Sequence, residues 1–147
     1  MTFDKTRSAG YLINHLARIL AQALAREIRP LGLVPGQFMV LLELWREDGL
    51  TQRDLVARLD VEQATLANTL ARMERDGLVT RVPHPTDGRA QLIRITARAR
   101  RLEEPATAAA GQVNGRLLAA LSAGDRQGFV SAMQAVIAAA RDGDPSA

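Results

Sequence analysis

Residues 51–96 read TQRDLVARLDVEQATLANTLARMERDGLVTRVPHPTDGRAQLIRIT, and this stretch decides the fold. It begins with Thr51-Gln52-Arg53-Asp54, where a hydroxyl stands three residues before an acid, the spacing of a helix-capping box. Leu66, Leu70 and Met73 then repeat at the spacing of a half-buried helix. Two β-prone runs follow, on either side of a turn rich in Pro, Asp and Gly. The order helix, helix, hairpin predicts a winged helix-turn-helix, with the hairpin as the wing.

Helical patterns flank this stretch on both sides. Apolar side chains recur at helical spacing from about Ser8 to Arg29, until a proline interrupts, and Pro35 suits the first turn of a second helix. After the wing, Thr96 can cap a long fifth helix, and Ser122 can cap a last one. The apolar stripe of the fifth helix is expected to comprise Leu102, Ala106, Ala109, Val113, Leu117 and Leu121. The whole pattern predicts a mainly α fold with a small β-wing.

We divide the single chain, residues 1–147, into two parts. Residues 32–96 are predicted to form the winged helix-turn-helix lobe, and residues 8–30 together with 97–141 a helical dimerisation module. These outer helices cannot all pack on so small a lobe, so their apolar stripes need one another or a second copy of the chain. A homodimer explains them most simply, and an intramolecular helical hairpin is the alternative.

Composition limits the class of protein. With 147 residues and 47% hydrophobic content, the chain can bury one core as an ordinary globular domain. No apolar run is long enough to span a membrane, and the N-terminus lacks the pattern of a signal peptide, so we expect a cytoplasmic protein. The absence of cysteine excludes disulfides, thiolate metal sites and cysteine-based oxidant sensing.

Positive charge is concentrated in one part of the chain. The net charge is only +3, but residues 72–101 carry eight arginines against three acidic residues, a local net charge of +5. A solvated helix face could produce such a cluster. Its coincidence with the helix-turn-helix favours a nucleic-acid surface on the wing and its flanks.

The first exposed residues of the second motif helix, the recognition helix, are the candidates for reading DNA bases. Such a helix presents its N-terminal residues to base edges in the major groove. Asn and Gln can contact adenine, and Thr can contact the thymine methyl group, which favours A/T-rich sites. The candidates are Gln63, Ala64, Thr65 and Asn68. For Asn68 the alternative is an ordinary solvated helix residue.

A second set of residues is better placed for the DNA backbone. The helix that precedes the recognition helix usually fixes the register of the protein against phosphates. We therefore expect backbone contacts from Thr51, Gln52, Arg53, Thr69 and Arg72. Loss of such contacts should weaken binding to all sequences alike and reduce its salt dependence.

The wing tip combines a carboxylate, a glycine and an arginine. Asp87 and Arg89 are separated by Gly88, a spacing that lets the carboxylate brace the guanidinium while the turn projects it outward. A narrow A/T minor groove attracts such an arginine, and Arg81 adds positive charge nearby. A plain surface salt bridge is the alternative for the pair. His84 is interpreted as a solvent-exposed turn residue, and a group that titrates near a phosphate is the alternative.

Together these segments resemble the MarR family of bacterial transcriptional regulators. The resemblance covers nearly the whole chain and is carried by LVPGQF at 33–38, LTQRDL at 50–55, LARMERDGLV at 70–79 and DGR at 87–89, with Ile95-Thr96 closing the wing. It implies an obligate homodimer whose dimer module is formed by helices from both termini. It also implies a pseudo-palindromic DNA operator, and repression that is relieved when a small, often aromatic or phenolic, ligand binds between this module and the DNA-binding lobe.

The start of the recognition helix departs from the family pattern. Many members have a Pro-Ser-Thr-like start and a basic residue one turn later, whereas this chain has Gln63-Ala64-Thr65 and Asn68. The operator sequence therefore cannot be carried over from the family. The wing role carries over to Asp87 and Arg89.

The ligand site implied by the resemblance would be built from the first two helices and the start of the fifth. Its candidates are Tyr11, His15, Phe38 and Trp45, since such groups suit an apolar cavity with a few orienting polar atoms. A lone tryptophan on an apolar face is more often a core residue, and His15 could bond a partner helix. A purely structural role is therefore the alternative for these residues.

Other functions remain as alternatives. An enzyme is not expected, because the chain has no cysteine, only His15 and His84, no phosphate-binding loop and no spacing of histidines and carboxylates suited to a metal. We expect neither a metal nor a cofactor. A ligand-independent architectural DNA-binding protein would show little sequence preference. A winged-helix protein-interaction module would use the arginine cluster to meet an acidic partner.

Overall fold

The computed structural model describes residues 2–143. The helices are α1 (Ala9–Ile28), α2 (Pro35–Arg46), α3 (Gln52–Leu59), α4 (Gln63–Arg75), α5 (Ala97–Leu117) and α6 (Ala123–Asp142). The strands are β1 (Leu50–Thr51), β2 (Val79–Pro83) and β3 (Gln91–Ile95). Short 3-10 turns occupy Lys5–Arg7, Arg29–Leu31 and Leu118–Ala120. The predicted fold, mainly α with a small β-wing, is confirmed.

The chain consists of two compact units, one up to Val113 and one from Asn114 onward. The first contains α1 to α4, all three strands and most of α5. The second contains the end of α5 and α6. Within the described residues, no helix combines the length and the apolar character needed to cross a membrane.

The first two helices begin and end where their sequence signals lie. Ser8 caps α1 by accepting the backbone N–H of Tyr11 at 3.3 Å. Pro30 falls in the 3-10 turn after α1, and Gly32 then takes a left-handed conformation with φ +77°. Pro35 opens α2, at a position where a helix has no use for a backbone N–H. The predicted bounds of α1 and the predicted start of α2 are confirmed.

The helix-turn-helix is built on the inner face of α4. Leu66, Leu70 and Met73 are at most 2% exposed, and they belong to one core with Leu55 of α3 and Leu41 of α2. Each side chain of this size contributes roughly 1.5–3 kcal/mol when it is fully removed from water. This burial determines which face of α4 is left to contact a partner.

The recognition helix α4 ends in a glycine turn. Gly77 has φ +73°, a conformation that residues with a Cβ adopt only with strain. The N–H of Leu78 bonds back to the carbonyl of Met73 at 2.8 Å, and that of Gly77 bonds to the carbonyl of Glu74 at 3.2 Å. This pair of bonds is a Schellman motif. The chain therefore passes directly from the recognition helix into the first wing strand.

The wing belongs to a three-stranded antiparallel sheet with the strand order β1-β3-β2. Ile93 of β3 lies opposite Arg81 on one side and opposite Leu50 of β1 on the other. Only the β2–β3 hairpin was predicted, because β1 has just two residues, too few to show the alternating pattern of a strand. Through β1, the wing sheet is joined directly to the start of α3.

The predicted cap of α5 is confirmed, but the predicted apolar stripe of this helix is wrong at Leu121. Thr96 accepts the N–H of Ala99 at 3.1 Å and so caps α5. The helix ends at Leu117, and Leu121 has extended torsions, φ −97° and ψ 144°. The reason is the following residue, since Ser122 is itself an extended N-cap that accepts the N–H of Asp125 at 3.1 Å.

Candidate nucleic-acid interface

The first turn of α3 is held by a reciprocal capping box. The Thr51 hydroxyl accepts the N–H of Asp54, and the Asp54 carboxylate accepts the N–H of Thr51, both at 3.0 Å. The capping box predicted from the sequence is therefore confirmed. It places Gln52, half-buried, and Arg53, exposed, in the first helical turn. The hydrogen bond from the Thr51 N–H is also the main reason that the pKa of Asp54 lies below its usual value.

Replacing Asp54 tests how far this cap stabilises the fold. We expect Asp54→Ala to lower the free energy of unfolding by about 0.5 kcal/mol at pH 7, the low end of helix-cap effects, because the carboxylate is exposed. Since folding lowers this pKa, the contribution is present above the unfolded aspartate value of about 3.9 and is lost as pH falls through the folded value. Urea unfolding of both proteins, at equal concentration and at pH 7 and pH 3, checks this. Equal stability at pH 7 would contradict it.

The recognition helix α4 exposes all the residues proposed to read bases. Gln63, Ala64, Thr65 and Asn68 are exposed at its start, because the opposite face of the helix is in the core. Of the residues proposed for phosphate contact, Arg72 is exposed. Thr69 is half-buried, and its hydroxyl donates to the carbonyl of Thr65 at 3.0 Å. The hydrogen of this hydroxyl is therefore already used within the helix when a DNA phosphate approaches Thr69.

At the wing tip, the predicted contact between Asp87 and Arg89 forms, but through different atoms. The Asp87 carboxylate accepts the backbone N–H of Arg89 at 3.0 Å. Among the described residues it forms no ion pair with the Arg89 guanidinium, so the predicted brace is wrong. The reason is local, since an aspartate closes a tight turn most readily on the main-chain N–H two residues further on. The carboxylate thus shapes the turn and leaves the guanidinium exposed.

His84 takes part in the wing turn in a way that the sequence did not indicate. Its Nδ1 atom accepts the backbone N–H of Thr86 at 3.1 Å and that of Asp87 at 3.0 Å. The backbone N–H of His84 donates across the hairpin to the carbonyl of Ala90 at 3.2 Å. The imidazole is half-buried by these contacts. His84 is therefore a part of the wing structure and not the solvent-exposed turn residue that was predicted.

A groove of about 400 Å³ joins the wing tip to the first turn of α3. It brings together two groups of predicted DNA-contact residues that are separated by about thirty positions in the sequence. The lining residues are Thr51, Gln52, Arg53, Arg81, His84, Asp87, Arg89, Ala90 and Gln91. The predicted residues of α4 do not line this groove. His84, Ala90 and Gln91 were not predicted, since nothing in their local pattern distinguishes them from other hairpin residues.

Most arginines of the sequence cluster are engaged within the fold. Arg98 donates to the main-chain carbonyl of Asp76. Others form ion pairs, which are Arg75–Asp76 (3.3 Å), Arg81–Glu74 (3.1 Å), Arg94–Asp48 (3.8 Å) and Arg100–Asp48 (3.9 Å). Among the described residues of this cluster, Arg72, Arg89 and Arg101 show neither an ion pair nor a hydrogen bond of the guanidinium. Arg72 and Arg89, which are among the proposed DNA contacts, can therefore meet phosphates without first breaking such a contact.

A buried glutamine holds the end of the recognition helix. Gln37 of α2 is 4% exposed, and its amide nitrogen donates to the carboxylate of Asp76 at 3.0 Å. Its amide oxygen accepts the N–H of Val34 at 3.3 Å. The bond from Gln37 is the main cause that lowers the pKa of Asp76, followed by a bond from Arg75. The C-terminal end of α4 is thereby tied to the start of α2.

The four aromatic or polar-aromatic candidates for ligand binding form two separate pairs. The rings of Tyr11 and His15 on α1 lie edge to face, with centroids 5.9 Å apart, and both residues are exposed. The rings of Phe38 and Trp45 on α2 lie edge to face at 6.0 Å. Phe38 is only 4% exposed, and the indole N–H of Trp45 donates to the carbonyl of Ala99 at 3.0 Å. The second pair thus packs in the core and anchors the start of α5.

Comparison with known sequences agrees with this architecture. A model of the MarR family matches residues 31–90, from the turn before α2 to the wing tip. The HTH-type transcriptional repressor Rv2887 of Mycobacterium tuberculosis is 29% identical over 120 residues, which cover 82% of this chain and 86% of that protein. The HTH-type transcriptional regulator YwoH of Bacillus subtilis is 30% identical over 117 residues, which cover 80% of this chain and 85% of that protein.

Solved structures show the same fold over most of the chain. The PcaV transcriptional regulator of Streptomyces coelicolor, in complex with its natural ligand, is 30% identical and has a TM-score of 0.77, covering 95% of this chain and 99% of that one. AbfR bound to DNA is 27% identical and has a TM-score of 0.65, covering 69% of this chain and 75% of that one. With its winged helix-turn-helix and these relatives, the chain belongs to the MarR family of transcriptional regulators.

Proposed function

We propose that this chain is a homodimeric, sequence-specific transcriptional repressor that acts in the cytoplasm and is released from a pseudo-palindromic operator by a small organic ligand. The observation that carries the DNA-binding part is the groove between α3 and the wing, which combines Arg53 with the unpaired Arg89. The relationship to the repressor Rv2887 supports repression as the direction of regulation.

In this proposal the exposed residues of the lobe divide the work of DNA recognition. Gln63, Thr65 and Asn68 at the start of α4 contact base edges in the major groove. Arg53 and Arg72 contact phosphates, together with the neutral donors of the capped α3 turn and α4. The wing tip enters the adjacent minor groove, where negative potential attracts a guanidinium. AbfR, which shares this fold, has been solved on DNA, and this supports the same mode of binding here.

Exposed apolar side chains support the homodimer. In α1, Leu12, Ile13 and Ile19 are 47%, 60% and 41% exposed. In α6, Val136 and Ile137 are 64% and 56% exposed. Helices with apolar faces of this kind are stable in water when another surface covers them. We therefore assign residues 8–30 and 97–141 to a dimerisation module and residues 32–96 to the DNA-binding lobe.

The ligand part of the proposal rests on a relative and on the aromatic pairs. PcaV, which covers nearly the whole chain, has been solved with its natural ligand. In this chain Tyr11 and His15 combine exposure with polar atoms, so we assign them the orienting contacts to a ligand. Phe38 and Trp45 would supply an apolar wall, because the edge-to-face pair is already held in place by the core.

The decisive test is fluorescence anisotropy of the purified protein on the DNA upstream of its own gene and on a shuffled control, across a salt series. We expect a preference of about a hundredfold or more for the native DNA. A preference of that size justifies a ligand screen on the complex. Equal binding with steep salt dependence would instead indicate the architectural alternative. No binding to either DNA would favour a protein-interaction module.

A further inference from the structure

We propose that His84 is a positioning residue for the wing and that its protonation weakens DNA binding at mildly acidic pH. The inference rests on the proposed DNA-binding function of the wing, but the structural part can be tested without DNA. Its starting point is the two hydrogen bonds that converge on one ring nitrogen, from the N–H groups of Thr86 and Asp87.

These two bonds define the protonation state in which the wing is built. A neutral imidazole has one nitrogen that accepts and one that donates, whereas both nitrogens donate in the imidazolium. Because two backbone N–H groups point at Nδ1, this atom must be the acceptor and Nε2 must carry the proton. Protonation of Nδ1 would set a third donor against the other two. The Thr86 hydroxyl also lies 3.4 Å from Nδ1, but a hydroxyl can donate or accept. The two backbone N–H bonds therefore require an unprotonated Nδ1.

His84 is linked to the DNA-binding arginine through consecutive bonds of the same turn. Its ring accepts the N–H of Asp87, whose carboxylate accepts the N–H of Arg89 at 3.0 Å. The Asp87 carbonyl also accepts the N–H of Ala90 at 3.2 Å, and the Ala90 carbonyl returns to the N–H of His84. Loss of the acceptor at Nδ1 thus loosens the main chain that carries the guanidinium.

Charged residues from α3, β2 and the wing tip lie around His84. The charged residues that line the shared groove are Arg53 of α3, Arg81 of β2, and Asp87 and Arg89 of the wing tip. Three of them are positive and one is negative, and Arg81 is paired with Glu74 at 3.1 Å. The other lining residues are uncharged.

Two consequences of protonation have opposite signs, which makes the experiment informative. An added positive charge near the wing would strengthen contact with phosphates as pH falls. Loss of the Nδ1 acceptor would weaken the complex, because the wing tip would no longer be held in one conformation. Since both N–H bonds depend on one atom, we expect the structural effect to be the larger.

The test measures anisotropy on operator DNA at constant ionic strength and at pH 7.5, 6.5 and 5.5. For the wild-type protein we expect affinity to be about tenfold lower at pH 5.5 than at pH 7.5. His84→Asn is the matched control, since its amide oxygen accepts N–H groups but does not titrate, and it should bind nearly as well at pH 7.5 with a flat pH profile. His84→Ala removes the acceptor and should bind weakly at every pH. Tighter wild-type binding at low pH, or a wild-type slope in His84→Asn, would overturn the proposal.

A second measurement separates this proposal from the proposed function. Nuclear magnetic resonance of the free protein should show an unprotonated Nδ1 on His84 at pH 7.5. On acidification, the amide signals of Thr86 and Asp87 should shift together with the titration of that ring. Amides that do not follow His84 would refute its positioning role even if DNA binds. If they do follow it and no DNA is bound, the positioning role stands and the proposed function fails.

Discussion

Ile137→Asp will convert the protein from a dimer to a monomer and lower its affinity for operator DNA by about a hundredfold or more, because two linked half-sites bind far more tightly than one. Ile137 is 56% exposed on α6, and Val136 beside it is 64% exposed. Phe129, Val130 and Met133 share this side of the helix at spacings of three and four residues. A carboxylate on this face would have to be buried without a partner in the dimer, which is unfavourable.

The matched control for this prediction is Ser131→Asp. It introduces the same carboxylate into the same exposed helix, but about half a turn away from the apolar face. We expect this variant to remain dimeric and to bind DNA as the wild-type protein does. Size-exclusion chromatography with light scattering measures the mass of each variant, and anisotropy measures the affinity. A dimeric Ile137→Asp protein would show that the α6 face does not hold the subunits together.

Arg89→Ala should lower affinity for DNA at least about tenfold and make the salt dependence shallower by about one unit for each subunit engaged. Arg89 is exposed at the wing tip and lines the groove with Arg53. Its contact within the turn is made by its backbone N–H to Asp87, which alanine retains. The wing should therefore keep its shape, and the loss should come from the missing guanidinium alone.

Arg46→Ala is a control for the loss of a positive charge. Arg46 is the last residue of α2 and is exposed, but it does not line the groove and is not among the proposed DNA contacts. Its removal changes the net charge by the same amount and should affect affinity much less. Both variants should have wild-type dimer mass and wild-type circular dichroism. An Arg89→Ala protein with the affinity and salt dependence of Arg46→Ala would remove the wing from the proposed interface.

The features that the sequence predicted correctly depend on residues close together in the chain. The capping box joins Thr51 and Asp54, which are three positions apart, and the buried stripe of α4 repeats every three to four residues. The hairpin follows from two short runs around a turn. Errors arose where two local patterns compete. Leu121 continues the helical stripe of α5 by spacing, but it is adjacent to the cap of the next helix.

The site depends more strongly on contacts that no local pattern indicates. The sequence showed that eight arginines lie between residues 72 and 101, but not which of them have partners. Asp48 forms ion pairs with two of them, Arg94 and Arg100, although it lies in the bend after α2, more than forty residues away in the sequence. At the wing tip, the path of the turn decides whether the Asp87 carboxylate contacts the side chain or the main chain of Arg89.

From the order and spacing of its residues alone, this chain can be identified as a winged helix-turn-helix of the MarR type. That is possible because helix caps, apolar periodicity and turn residues act over a few positions, and the family resemblance is read from the same segments. Three features could be recognised only in the folded chain. They are the absence of ion pairs at Arg72 and Arg89, the groove between α3 and the wing, and the acceptor role of His84. These features arise where segments distant in sequence, or backbone atoms of a turn, meet in space, and hydrogen bonds and ion pairs form only at such short distances.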